Sequence, residues 1–158
     1  MLYSKTCEYA IRALSYFPVH PENKRATVQD ISAHSGVPAP YVSKIFQCLV
    51  QNGIVESHRG ARGGYSLKIP ASKISLMRVI RAMDDLEKSP FTQCIMGLHQ
   101  CNDREPCPLH SIWADTKEKM MKKLSDKTVA DVAHLVDKYD PNPSRIALSE
   151  SMRSVFGL

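Results

Sequence analysis

Three of the five cysteines fall in one stretch: Cys94-Ile-Met-Gly-Leu-His-Gln-Cys101-Asn-Asp-Arg-Glu-Pro-Cys107-Pro-Leu-His110. The C-x6-C-x5-C-x2-H spacing lacks the paired Cys knuckles of structural zinc sites. Wide spacing in irregular backbone suits an iron–sulfur cluster, where the chain must wrap several iron atoms. Zinc binding, thiol redox sensing and inert cysteines are the competing readings. Cys107 is expected to open a helix, whose dipole favours a thiolate, and His110 lies one turn on as a fourth donor. Cys7 and Cys48 read as packing residues. An odd cysteine count, with Lys5, Glu8 and Arg12 where an apolar leader would stand, argues against a disulfide scaffold and for a cytoplasmic protein. No C-x-x-C, Ser/His/Asp order, P-loop or dinucleotide fingerprint is present, so no enzyme is expected, and a small thiol redox enzyme is the weakest alternative.

A second set of residues has the chemistry of nucleic-acid contact. Thr27 to Gly36 form a short capped helix, followed by a tight turn and a second helix with Pro40 in its first turn. That is the helix-turn-helix pattern, in which the N-terminal residues of the second helix meet base edges in the major groove. Here these are Tyr41, Ser43 and Lys44, with Gln47 one turn on. Pro40 either touches a thymine methyl or shapes the turn. Further on, Arg59-Gly60-Ala61-Arg62-Gly63-Gly64 puts two arginines among three glycines, so backbone can approach a ligand while guanidinium groups reach into a minor groove. Charge agrees: residues 1–86 hold 11 Lys+Arg against 6 Asp+Glu, which accounts for the whole net charge of +5.

The elements that position these groups follow from periodicity. Tyr9, Ala10, Ala13, Leu14 and Phe17 form a helical stripe, capped by Thr6 and closed by Pro18 and Pro21. The helix-turn-helix runs to about Asn52, with Ile45, Phe46, Leu49 and Val50 inward. The period then drops to two, giving strands over 54–58 and 65–69, a hairpin wing with Tyr65, Leu67 and Ile69 on one face. Ser75 caps a helix through Met83, and residues 87–107 show no period. From Pro108 a long helix aligns Leu109, Ile112, Trp113, Thr116, Met120 and Leu124 as a seam for a partner helix. Thr128 caps a last helix with Val129, Val132, Ala133 and Val136 inward. No apolar run reaches the roughly 18 residues of a membrane span.

These pieces together resemble the IscR/NsrR-type family of winged helix-turn-helix iron–sulfur transcriptional regulators. The resemblance covers residues 1 to about 138. It is carried by Ser4-Lys5 with Tyr9-Ala10, by Asp30-Ile31-Ser32, by Pro40-Tyr41-Val42 and Ile45-Phe46, and by Asn52-Gly53-Ile54-Val55. The wing Arg59-Gly60-Ala61-Arg62-Gly63-Gly64-Tyr65 and the three-cysteine loop with Leu109-His110 and Trp113 complete it. It implies a mainly α fold with a small β-hairpin wing, and a homodimer joined by the long helix. It also implies a partly palindromic double-stranded DNA operator, repression, and a [2Fe-2S] or [4Fe-4S] cluster on Cys94, Cys101 and Cys107. The fourth ligand is Glu8, offered by the other subunit, with His110 as the alternative. A branch of the family instead works without metal, through a partner protein, so a metal-free repressor controlled that way or by thiol oxidation is the alternative function. The expected organisation is a DNA-binding domain at 1–86, a cluster loop at 87–107, dimerisation and C-terminal helices at 108–140, and an unassigned tail at 141–158.

Overall fold

The structure is a computed structural model and describes residues 3–60, 63–89, 91–98 and 100–139. The tail at 141–158 lies outside the described residues.

Helix α1, Lys5–Leu14, is capped by Ser4, whose Oγ accepts the N–H of Cys7 at 3.1 Å. Thr6, the expected cap, sits inside the first turn, where its hydroxyl no longer faces the free N–H groups. The helix also ends earlier than expected. Ser15 donates its hydroxyl to the Arg12 carbonyl at 2.6 Å, and a short α2, Tyr16–Val19, restarts at once. Pro18 therefore lies in the first turn of α2, where a missing N–H costs nothing.

Helices α3, Val28–Ser35, and α4, Ala39–Gln51, form the expected helix-turn-helix. Thr27 and Asp30 make a reciprocal capping box, and Gly36 stops α3 at φ 67°, a left-handed position suited to glycine. The hairpin pairs β1, Val55–His58, with β2, Gly64–Leu67, antiparallel, with Val55 opposite Leu67 and His58 opposite Gly64. Ala26 adds a third edge through a two-bond bridge to Tyr65, at 2.9 and 2.8 Å. Gly64 makes that approach possible: at φ 145°, a Cβ there would stand 2.5 Å from the Ala26 carbonyl oxygen. Tyr65 then lays its ring 4.8 Å from that of Phe46, so the wing is packed onto the recognition helix.

One core unites these parts, with Tyr9, Leu14, Ile31, Phe46, Leu49, Ile54 and Ile80 fully buried. Helix α5, Leu76–Met83, packs on α1 and α4. The last helix, α7, Val129–Tyr139, returns to this same core. Leu76 donates to the Lys127 carbonyl and Val129 to that of Ile74, at 2.8 and 2.9 Å. Val129 and Ala133 are completely buried, and α7 packs against α1 and α2.

Helix α6, His110–Asp126, has no buried residue. Helix α6 packs against α5, with Trp113, Met120 and Leu124 half-buried and Leu124 set against the core, while Leu109 and Ile112 stay 42% and 70% exposed. The single seam expected from the spacing is thus divided between the chain's own body and an outward apolar strip. Periodicity reports that a helix has an apolar side, not which neighbour covers it. Among the described residues no helix is long and apolar enough to cross a membrane.

Candidate functional site

The DNA-facing candidates are sorted by burial. Tyr41 is only 2% exposed, so its ring belongs to the core and does not meet base edges as expected. The reason lies in helix geometry: Tyr41 is one turn before Ile45 and so shares its inward face. Pro40 and Gln47 are exposed, and Ser43 and Lys44 are half-buried. Ser43 gives its hydroxyl to the Ala39 carbonyl at 3.1 Å, which commits its proton to the helix backbone. Arg59 and Gly60 stand exposed at the hairpin tip, and Arg62 lies outside the described residues. Beside the tip runs a groove of about 400 Å³ lined by Thr27, Val28, Gln29, His58, Gly60 and Gly63. It joins the capped N-terminus of α3 to the wing, where the positive end of the helix dipole suits a phosphate backbone.

The cysteine segment is more ordered than its missing periodicity suggests. Ser89 and Thr92 hydroxyls donate to the Leu86 carbonyl at 2.8 and 2.9 Å, and Thr92 also reaches the Glu87 carbonyl at 2.8 Å. Cys101 donates its N–H to the Thr92 carbonyl at 3.0 Å, and Gln93 bridges to Gln100. Trp113 of α6 donates its indole N–H to the Gln93 carbonyl at 3.1 Å, which fastens the loop to the long helix. Asn102 accepts from the N–H groups of Arg104 and Glu105 at 2.9 and 3.1 Å and donates to the Gln100 carbonyl at 2.9 Å. Polar side chains bonded to backbone therefore hold this loop, and such bonds leave no hydrophobic period to detect.

These bonds bring the three thiols and His110 near one another. Cys94, 5% exposed, is in hydrogen-bonding contact with Cys107. Cys101 Sγ stands 3.4 Å from Nδ1 of His110, whose Nε2 lies 2.8 Å from Oδ1 of Asp103. Cys101, Asp103 and His110 open on a groove of about 590 Å³ along α6, floored by Phe91, Ala114 and Met121. Cys107 lies two residues before the α6 cap, Leu109, outside the helix it was expected to open. Its thiol is held above its usual value, not below it. Loss of solvent is the largest cause, followed by an opposing bond from the Leu109 N–H, and then by the Cys94 hydrogen bond and the Cys94 and Cys101 charges, which raise it. Glu8 takes Lys5 Nζ on both carboxylate oxygens, at 2.8 and 2.7 Å. Cys7 is fully buried, and burial, followed by the Asp84 and Glu8 charges, pushes its thiol up to about 12. Cys48 contacts the Ala82 carbonyl at 3.0 Å. Both stand outside the cysteine loop, as packing residues would.

The donor set of three thiols and one imidazole fits an iron–sulfur cluster in kind. Among the described residues no three His, Cys, Asp or Glu side chains converge closely enough to hold a single ion. A tetrahedral zinc ion needs all its donors within about 2.0–2.3 Å of one point. Cys107 feels both other thiols and Cys101 also contacts His110, so the four donors form one linked set, of the kind a group with more than one iron takes. Asp103 and Asn102 were missed in the sequence, although Asn-Asp in a loop is a turn signal.

Comparison with known proteins agrees with this architecture. Residues 3–135 match the Rrf2 family, described as iron-dependent transcriptional regulators. The regulator IscR of Yersinia enterocolitica is 33% identical over 129 residues, 82% of this chain and 77% of that one, and IscR of Serratia proteamaculans matches to the same extent. Among solved structures, CymR, the global cysteine regulator of B. subtilis, superposes with a TM-score of 0.69 at 18% identity, over 85% of this chain and 98% of that one. IscR of T. potens superposes with a TM-score of 0.63 at 21% identity, over 96% of each chain. These structures share the winged-helix fold. The chain belongs to the Rrf2 family of winged-helix transcriptional regulators.

Proposed function

We propose that the protein is a homodimeric repressor whose affinity for a partly palindromic DNA operator responds to an iron–sulfur cluster on Cys94, Cys101, Cys107 and His110. The observation that carries this reading is the pairing of Cys94 with Cys107 and of Cys101 with His110 on one loop tied to α6. The family description as iron-dependent supports it. His110 takes the place of fourth donor ahead of Glu8, because it already faces a thiol while Glu8 is engaged by Lys5. When bound, the cluster supplies an iron centre whose oxidation, nitrosylation or loss changes the charge and connectivity of the loop. The chain's own contribution is to hold the donors and relay their arrangement. Helix α6 packs on α5, and Asp84 at the end of α5 accepts the Ser4 N–H at 2.7 Å, reaching α1 of the DNA-binding half.

A metal-free regulator acting through thiol oxidation or a partner protein is the second reading. It is favoured by the superposition on CymR, the global cysteine regulator of B. subtilis. Anaerobic purification separates the two. A brown protein whose operator affinity changes on removal of iron by a chelator supports the cluster, and a colourless protein with full, chelator-insensitive DNA binding supports the second reading.

A further inference from the structure

The imidazole of His110 is held from both sides, and the two contacts are chemically unequal. A carboxylate only accepts hydrogen bonds, so Nε2 of His110, at 2.8 Å from Asp103 Oδ1, carries the proton. In the neutral ring Nδ1 then holds the free lone pair, and it is Nδ1 that faces Cys101 Sγ at 3.4 Å. Asp103 itself projects into solvent, with its side chain 99% exposed, so it has no packing role there. Its position is nevertheless built. The three Asn102 bonds to Gln100, Arg104 and Glu105 fold residues 100–105 so that Asp103 turns back over α6. A histidine that donates its other ring N–H to a carboxylate is the usual arrangement for a metal ligand, because it fixes both tautomer and ring direction.

We propose that Asp103 is the positioning carboxylate of the cysteine site, holding the His110 ring so that the chain offers Nδ1, not Nε2, as its nitrogen donor. This rests on the cluster reading above, and it adds a residue and a donor atom to it. Asp103 touches no thiol and acts only through His110. Losing such a carboxylate lowers metal retention by about 10- to 100-fold.

The test uses the full chain in two states. In cluster-free protein, nitrogen-15 NMR of His110 is expected to show the Nε2-protonated tautomer, lost in Asp103→Ala and restored in Asp103→Glu. In anaerobically reconstituted protein, selective nitrogen-15 labelling and pulsed EPR of the reduced cluster are expected to show direct coupling from Nδ1. Retention against a chelator is expected to fall about 10- to 100-fold in Asp103→Ala, with recovery in Asp103→Glu. A colourless wild type overturns the cluster reading and this inference with it. A brown wild type coupled through Nε2, or with tautomer and retention unchanged in Asp103→Ala, overturns this inference alone. Because Asp103 is exposed, the variant keeps its fold, and a circular dichroism spectrum identical to wild type confirms that its losses are local.

Discussion

Arg59 and Tyr41 both belong to the expected DNA surface, yet one is exposed beside the hairpin turn and the other is sealed in the core. Arg59→Ala is expected to weaken specific operator binding by about 1–3 kcal/mol, the range of a well-placed base contact. Titration against operator and random DNA checks this, and equal losses on both would make Arg59 a phosphate contact. Tyr41 was misplaced because residue type and proximity to the helix start do not reveal which face turns inward, whereas its spacing from Ile45 and Phe46 does. The cysteines were legible by contrast, since three in one short stretch stand out without any structure. Their partners were not: Asp103 acts through a single 2.8 Å bond that no periodicity encodes. Cys101→Ala is expected to lose the visible spectrum, while Cys48→Ala keeps it, because Cys48 faces the Ala82 carbonyl and not the loop. Full colour in Cys101→Ala, measured on anaerobic protein, would remove Cys101 from the ligand set.

At the scale of elements, caps carried most of the information. Thr27, Ser75 and Thr128 each begin a helix where the sequence indicates, because a hydroxyl three residues before a free N–H is a local device that needs no tertiary partner. The start of α1 escaped, since Ser4 competes with Thr6 and is chosen by Asp84, far away in sequence. Thr27→Ala is expected to cost about 1 kcal/mol in urea denaturation. The capping box also sets an acid dependence. The Thr27 backbone N–H and then its hydroxyl, at 2.8 and 2.7 Å, hold the Asp30 carboxyl below its usual value, against a small opposing effect of burial. With the folded pKa below the unfolded one, the stabilisation is complete above the usual carboxylate value near 3.8 and is lost as pH falls through the lower folded value. Asp131 repeats the arrangement on α7, through the Thr128 N–H and then its hydroxyl. Asp30→Asn is therefore expected to flatten the stability curve below about pH 4 and to leave its shape near neutrality unchanged. Denaturant melts from acid to neutral pH decide it. An acid limb identical to wild type would show that the box contributes nothing.

At the scale of the whole molecule, charge and exposed apolar surface point in one direction. The excess of +5 sits in residues 1–86, which contain α4 and the wing, while Leu109 and Ile112 leave an apolar strip on α6 that the chain itself does not cover. Within the proposed dimer, α6 supplies the contact between copies, and each copy brings one basic half to the DNA. A DNA-binding surface doubled in this way makes affinity a property of assembly, because two half-sites bound by one particle gain from a shared effective concentration. Ile112→Glu places a charge on the 70% exposed end of that strip, outside the core, so fold and stability are expected to hold. Sedimentation should then show monomers. Operator affinity should fall by at least tenfold, while weak binding to a single half-site survives. Salt provides the second readout. Each phosphate neutralised by Lys or Arg contributes about −0.9 to the slope of log affinity against log salt, so a monomer should show roughly half the slope of the dimer. A dimer that persists in Ile112→Glu would place the contact elsewhere. A monomer whose slope and operator affinity match wild type would mean that one copy makes all the contacts, which would overturn the two-half-site geometry.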